Sequence, residues 1–178
     1  MKTLLCTIGR WENQYIREFV EHYKSLGFTN IVLFDNNYDG EEHFEEVIGD
    51  YIDSGYVILK NYRNKKECQC EAYNSCYAEY SQDYDWIAFF DCDEFLTLTK
   101  VKTIDEYLSS SSFDNYDMIH INWKCYGDAG LVKNDGRPML ERFSVPIPDN
   151  KKISSYFPEN DHIKSIIRGG RERSLLSS

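Results

Sequence analysis

A chain of 178 residues with 42% hydrophobic and 15% aromatic content is long enough to bury a sizeable core and too apolar to stay disordered. Its formal net charge of −10 argues against nucleic acid or an anionic membrane as a bulk partner, but not against a phosphorylated small molecule met by a cation and a few local Lys or Arg. The six cysteines (Cys6, Cys68, Cys70, Cys76, Cys92 and Cys125) lack the paired spacing of a zinc site, so reduced thiols in the cytoplasm are expected rather than a disulfide framework.

Residues 3–8 form a short apolar strand, too brief for a signal peptide or a membrane span. Residues 13–26 place Tyr15, Ile16, Phe19, Val20, Tyr23 and Leu26 at three- and four-residue spacing, a helix face stopped by Gly27. Residues 31–34 are a second strand, ending in Asp35-Asn36-Asn37. Asp39-Gly40 turns the chain into a second helix, with Phe44, Val47, Ile48, Tyr51 and Ile52 on one face and Gly55 as its end. A third strand covers 56–59. After a polar loop over 61–66, a third helix turns Ala72, Tyr73, Cys76, Tyr77 and Tyr80 inward. Residues 86–90 are too few for a typical helix and too uniformly apolar for a half-exposed strand, so they read as a central strand buried on both faces. Asp91-Cys92-Asp93-Glu94 follows at once.

The order β-α-β-α-β-α-β predicts an α/β fold, with a mostly parallel sheet flanked by helices. All four strand ends then meet at one rim, gathering Arg10 and Glu12, Asp35 and Asn36, residues 63–65 and residues 91–94. Burying an unpaired carboxylate costs several kcal/mol, roughly, so the acids must meet water, a cation or a ligand. An Asp-x-Asp pair can hold a hard divalent cation through one or two carboxylates and leave room for substrate phosphates. The plainer reading is that these acids cap a turn.

Beyond residue 96 the pattern changes. Residues 104–108 read as a short helix with Thr103 as N-cap, and 109–112 as a loop. Residues 117–123 alternate, with Ile119, Ile121 and Trp123 on one face, and 139–145 alternate too. The two runs are expected to add antiparallel strands to the sheet. Residues 126–130 form a flexible loop carrying Asp128, 150–161 are loop-like, 163–168 are a last strand, and 169–178 are expected to fray as a disordered tail.

A mononucleotide-binding half with Asp-x-Asp after its fourth strand suits a nucleotide-diphosphate site. Asp35 stands where a base or ribose would be met, and Arg63 or Lys65 where a base or phosphate would be. No Gly-x-Gly-x-x-Gly follows the first strand and no Walker-type Gly-Lys-Ser/Thr occurs, which disfavours dinucleotide oxidoreductases and P-loop enzymes. A phosphatase of the haloacid-dehalogenase type would carry its Asp-x-Asp after the first strand, with Thr or Val where Phe95 stands.

Residues 8–23, 33–37, 69–76, 86–96 and 123–130, with Glu141-Arg142-Phe143 and Lys164-Ser165-Ile166, resemble a bacterial glycosyltransferase of the family 2 / family 92-like group. The most specific piece is Asp-Trp-Ile-Ala-x-x-Asp-x-Asp-Glu-Phe-Leu at 85–96, and the likeness runs to about Arg168. The resemblance implies the A-type, Rossmann-like glycosyltransferase fold as one domain over 1–168, with a nucleotide-binding half at 1–96 and an acceptor-side half at 97–168. It implies transfer of a sugar from a nucleotide-diphosphate sugar, a UDP-sugar first of all, to a hydroxyl on a glycan or lipid-linked acceptor. The setting it implies is surface polysaccharide or glycan synthesis, in the cytoplasm or peripheral at the inner membrane face. Mn²⁺ or Mg²⁺ would sit at Asp91 and Asp93. Nucleotide-pocket roles fall to Thr7 (mainly its backbone), Glu12, Asp35 and Gln69, which join Arg10, Arg63 and Asp91 as the nucleotide-sugar-binding set.

Sugar or acceptor contacts would come from 123–130 and Glu141. If the transfer inverts the anomeric centre, a carboxylate must deprotonate the acceptor hydroxyl, and Asp128 and Glu141 are the candidates for that catalytic role. Plainer readings stand beside these: Glu141 as a surface or structural ion pair, and Trp123 and Tyr126 as core rings rather than sugar platforms; His22 is expected to be structural. Related proteins continue past Lys-Ser-Ile-Ile-Arg into a segment whose His helps close the metal site. Here Arg171-Glu-Arg-Ser-Leu-Leu-Ser-Ser follows, so C-terminal truncation is an expectation. With it comes an alternative function, a nucleotide- or partner-binding domain without turnover.

Overall fold

The computed structural model describes residues 1–128, 130–131, 133–147 and 162–171. Four strands, β1 (Thr3–Gly9), β2 (Asn30–Asp35), β3 (Val57–Asn61) and β4 (Trp86–Phe89), carry the predicted parallel core. With β5 (Met118–Asn122) and β8 (Ile163–Arg168) they form one six-stranded sheet in the order β3-β2-β1-β4-β8-β5. The pairs β1–β2, β2–β3 and β1–β4 are parallel. Register aligns Gly9 with Asp35 and Asp35 with Asn61, so the three loops that follow leave the sheet side by side.

Helices cover both faces because the strands are apolar on both. On one face α3 (Gln69–Tyr80) lays Ala72, Cys76 and Tyr77 against Leu4, Cys6, Val32, Phe34, Ile87 and Phe89. α1 (Ile16–Ser25) buries Ile16, Phe19, Val20 and Tyr23, with the Tyr23 ring stacked on Phe90. α2 (Glu45–Asp53) adds buried Ile48, preceded by buried Phe44. α1 begins later than its periodicity suggests, because Tyr15 and Ile16 both donate their N–H to the Glu12 carbonyl at 2.8 Å and close a turn first. It stops at Gly27, whose φ of +86° suits a residue without Cβ. α4 (Ile104–Leu108) starts at Thr103 with a full capping box, the Thr103 hydroxyl accepting from Glu106 N–H and the Glu106 carboxylate reaching back to the Thr103 N–H. Residues 111–113 are a 3-10 turn rather than plain loop.

Residues 1–119 pack with 166–171 as one unit, and the described residues of 120–165 form a second. Residues 97–119 pack with residues 1–96, Ile104 N–H donating to the Leu26 carbonyl at 2.8 Å. The sheet gains its expected antiparallel addition from β5 and β8. Trp123 N–H bonds His162 O and Arg168 N–H bonds Asp117 O, so one strand's numbers rise as the other's fall.

The strand expected over 139–145 does not form. Pro138 starts a short helix instead, α5 (Met139–Arg142), with Arg142 N–H bonding Pro138 O at 3.1 Å and Phe143 N–H bonding Met139 O at 2.9 Å. Proline suits a helix start, and a short alternating run does not by itself separate strand from helix. Within the loop expected at 126–130, β6 (Tyr126–Gly127) pairs antiparallel with β7 (Val145–Pro146). The expected tail is held at its beginning, where Gly169 N–H bonds Asp85 O at 2.9 Å and Arg171 bonds Asp117 at 3.1 Å. The expectations for 150–161 and for 172–178 lie outside the described residues.

Candidate functional site

The strand order reverses at β1, with β2 on one side and β4 on the other. Open α/β sheets bind ligands at that point, beyond the carboxyl ends of the strands. The loops leaving β1 and β4 carry Gly9 to Glu12 and Asp91 to Glu94. Between them Cys92 is buried, its Sγ 3.3 Å from Thr7 Oγ1 and 3.7 Å from the Ile8 carbonyl, and burial raises its thiol pKa. A Cβ on Gly9 would lie 2.9 Å from that sulfur, so glycine is what lets the two loops close up. Cys92 thus plugs inward, while its neighbours Asp91, half-buried, and Asp93, exposed, stand at the rim. Thr7 itself is fully buried within the sheet and meets this loop through Cys92.

Two helices pin the acidic loop. From α3, Gln69 Nε2 donates to Asp91 Oδ1 at 2.8 Å and Tyr73 Oη donates to the same oxygen at 3.0 Å. Asp91 N–H donates to Glu94 Oε2 at 2.9 Å while Glu94 N–H returns to Asp91 O, so Glu94 is engaged with the loop's own backbone. From α1, Tyr23 Oη donates to Glu94 O and accepts from Leu96 N–H, and His22 Nε2 sits 2.9 Å from the Leu96 carbonyl. His22 is structural here, as its plainer reading had it.

The β2 and β3 loops are held by charge. Asp35, 3% exposed, takes Arg63 on Oδ2 at 2.7 Å, and on Oδ1 both the N–H and the side-chain amide of Asn37. Arg63 also donates to the carbonyls of Glu42 and Tyr38. Arg10 forms a two-point pair with Glu41 and lies between the rings of Trp11 and Tyr38, 4.0 Å from each centroid. Both arginines of the expected nucleotide-sugar-binding set are thus engaged with protein carboxylates. Trp11 is exposed and has φ of +63°, a strained setting for a bulky residue, with its N–H on Asn37 Oδ1. The Glu12 carboxyl is pushed up to about 7, first by burial and then by the charges of Asp93 and Glu42. That coupling puts the loops after β1, β2 and β4 around one acidic patch.

In the second unit, Asp128 is exposed and its Oδ1 accepts from Gly130 N–H at 3.0 Å. Glu141 is exposed on α5. Trp123 packs its ring on His162 at 4.7 Å, with Lys164 5.5 Å from its centroid.

Asp91 and Asp93 are the rim residues that could offer hard oxygen ligands to a divalent cation. Among the described residues no group of three or more His, Cys, Asp or Glu could hold a metal alone. A divalent cation held there would need water or substrate phosphates as its further ligands. Sequence reading missed Tyr73, Trp11 and Asn37 as parts of this rim. Tyr73 sits one turn after Gln69, and that four-residue spacing was its only signal. No helix among the described residues is long and apolar enough to cross a membrane.

The sequence profile of glycosyltransferase family 92 matches residues 5–170. A family 92 protein of Ricinus communis is 23% identical over 129 residues, covering 71% of this chain and 23% of the relative. One from Oryza sativa subsp. japonica is 25% identical over 108 residues, covering 61% and 18%. The chain spans about a fifth of the length of these curated relatives. Among solved structures, S. aureus TarS is 14% identical with a TM-score of 0.46, covering 61% of this chain and 19% of that one. TarS 1–349 in complex with UDP is 14% identical with a TM-score of 0.48, covering 66% and 34%.

Proposed function

Because the chain belongs to glycosyltransferase family 92, we propose that it takes a nucleotide-diphosphate sugar, a UDP-sugar first of all, at the β1–β4 rim and passes the sugar to an acceptor hydroxyl. The family match over residues 5–170 carries this reading, and the acidic loops at the strand reversal support it. Asp91 and Asp93 are the residues that would hold Mn²⁺ or Mg²⁺, and a cation there supplies positive charge against the departing diphosphate. The pinning of residues 91–96 by α1 and α3 holds the Asp91 carboxylate and the backbone of this loop in place before donor arrives. Glu12, with its carboxyl near neutrality, can donate or accept a hydrogen bond at the same rim. The paired Asp35 and Arg63 shape the β2 side without adding net charge. Asp128 or Glu141 would take the acceptor proton if the transfer inverts the anomeric centre. A glycan or lipid-linked acceptor and a cytoplasmic setting complete the proposal.

The test is a melting curve with UDP and Mn²⁺. Tm rises with both present, and Asp93→Ala abolishes the rise. No shift with any nucleoside diphosphate and divalent metal would count decisively against the donor site. Binding without hydrolysis or transfer of a UDP-sugar would point instead to a nucleotide-binding domain without turnover.

A further inference from the structure

β6 and β7 pair at Tyr126↔Pro146 and Gly127↔Val145, so residues 128–144 are the loop of one hairpin within the second unit. That loop carries both exposed carboxylates considered as bases, Asp128 and Glu141, and next to Glu141 a guanidinium in a very different setting. Arg142 is only 5% exposed. Its Nε and Nη1 are buried and have no hydrogen-bond partner among the described residues. Asp135 Oδ1 stands 3.6 Å from Nε, close enough for an ion pair but too far for a hydrogen bond. That carboxylate is already taken by Arg137, whose Nε and Nη2 donate to Oδ2 at 2.9 and 2.6 Å. The Phe143 ring, 5.1 Å from the Arg142 guanidinium carbon, offers a π face and no oxygen. Burial thus removes water from this cation without supplying acceptors in its place, which is costly for a charged donor. A planar guanidinium matches the paired oxygens of a phosphate or carboxylate.

We propose that Arg142 binds an oxyanion carried by the acceptor, a phosphate or a sugar carboxylate, within the β6–β7 hairpin loop. The inference rests on the transferase reading above and narrows its acceptor from any hydroxyl compound to an acidic one. The backbone of Arg142 is fixed on α5, its N–H bonding Pro138 O at 3.1 Å and the next N–H, of Phe143, bonding Met139 O at 2.9 Å. The earlier part of the loop is closed by bonds that span two or three residues: Gly130 N–H to Asp128 Oδ1, Leu131 N–H to Asp128 O, and Gly136 N–H to Asn134 Oδ1. Bonds of that span move with the stretch they close, so this part can shift to admit a ligand while the β6–β7 ladder stays paired. An anion there supplies the acceptors that Nε and Nη1 lack and leaves Asp135 to Arg137. It also anchors the acceptor by its charge in the loop that holds both candidate bases.

The experiment titrates the full chain calorimetrically with inorganic pyrophosphate, glucuronic acid and, as a neutral control, glucose, in EDTA at fixed ionic strength. Saturable binding of at least one anion is expected, with none for glucose; pyrophosphate alone marks a phosphate-bearing acceptor and glucuronate alone a uronic-acid one. Arg142→Met should weaken that binding by about tenfold or more, the size of losing hydrogen bonds to a charged partner. Asp135→Asn removes the competing carboxylate and should tighten it several-fold, a gain that Arg142→Met/Asp135→Asn cancels. Without anion, Arg142→Met should melt no lower than wild type, since it replaces a buried charge short of partners by an apolar side chain. If that variant does not fold, Asp135→Asn still carries the test, because an arginine kept only for the fold gives unchanged anion affinity there. No saturable binding of either anion by wild type, equal binding of glucose, or equal anion binding by Arg142→Met overturns the inference. UDP with Mn²⁺ is titrated in parallel; a chain that takes the anion but no UDP keeps the oxyanion site and overturns the donor site instead.

Discussion

Gly9→Ala tests whether the β1 and β4 loops are as tightly interlocked as the geometry indicates. The new methyl would lie 2.9 Å from Cys92 Sγ and 3.2 Å from Phe44 Cζ. Nonbonded carbons settle at about 3.5–4.0 Å, so the sulfur must retreat by roughly 0.5–1 Å. It has little slack, since Cys92 is 3% exposed and its sulfur is held between Thr7 Oγ1 and the Ile8 carbonyl. Overpacking of this kind costs about 1–3 kcal/mol. A displaced Cys92 also carries Asp91 and Asp93 with it. Urea denaturation should show the stability loss, and UDP titration with Mn²⁺ should show at least about tenfold weaker binding, since misplacement by about 1 Å can cost a hundredfold in a working site. Adding Cys92→Ala removes the clashing sulfur and should return most of both losses. If Gly9→Ala leaves stability and binding unchanged, or if Cys92→Ala simply adds its own penalty, the interlocking argument is wrong.

Two further outcomes follow from charge. Arg63→Met strands Asp35 in a site where the two side chains are 12% and 4% exposed, and breaking such a pair on one side typically costs about 3–5 kcal/mol; pairing it with Asp35→Asn should recover part of that loss in urea melts, and a single-variant loss under about 1 kcal/mol would show that water already reaches the pair. Glu12 governs a pH effect: its folded carboxyl is raised from 4.5 to about 7, so its contribution to stability is fully present below 4.5 and disappears as pH rises through 7. Partial exposure discounts that contribution to the order of 1 kcal/mol, and Glu12→Gln should flatten the stability–pH curve over that window; an unchanged slope would remove Glu12 from the acidic patch.

The parallel core was legible because buried strands announce themselves, and residues 86–90 could hardly read otherwise. Gly27 and Thr103 likewise mark helix ends whose backbone chemistry is local. Tyr73 was counted as an inward ring, which is true of its body, but the reach of its hydroxyl depends on α3 lying over β4, a matter of strand order that periodicity does not carry. The same holds for Arg10 and Arg63. Their position at the rim could be read from the sequence, whereas their capture by Glu41 and Asp35 depends on loops packing across one another. At 139–145 a two-residue period competed with Pro138, and over so short a run the proline prevailed.

β1 is synthesised before β4 yet ends in the middle of the sheet, paired on one side with β2 and on the other with β4. About 80 residues separate its synthesis from that of β4, or roughly 4–16 s at ordinary elongation rates. Throughout that interval an emerging chain displays an unzipped, greasy edge, Leu4, Leu5 and Cys6 foremost, which in the finished molecule never sees water. Arrested nascent chains of increasing length should keep β1 open to protease until Trp86–Phe89 has cleared the ribosome exit.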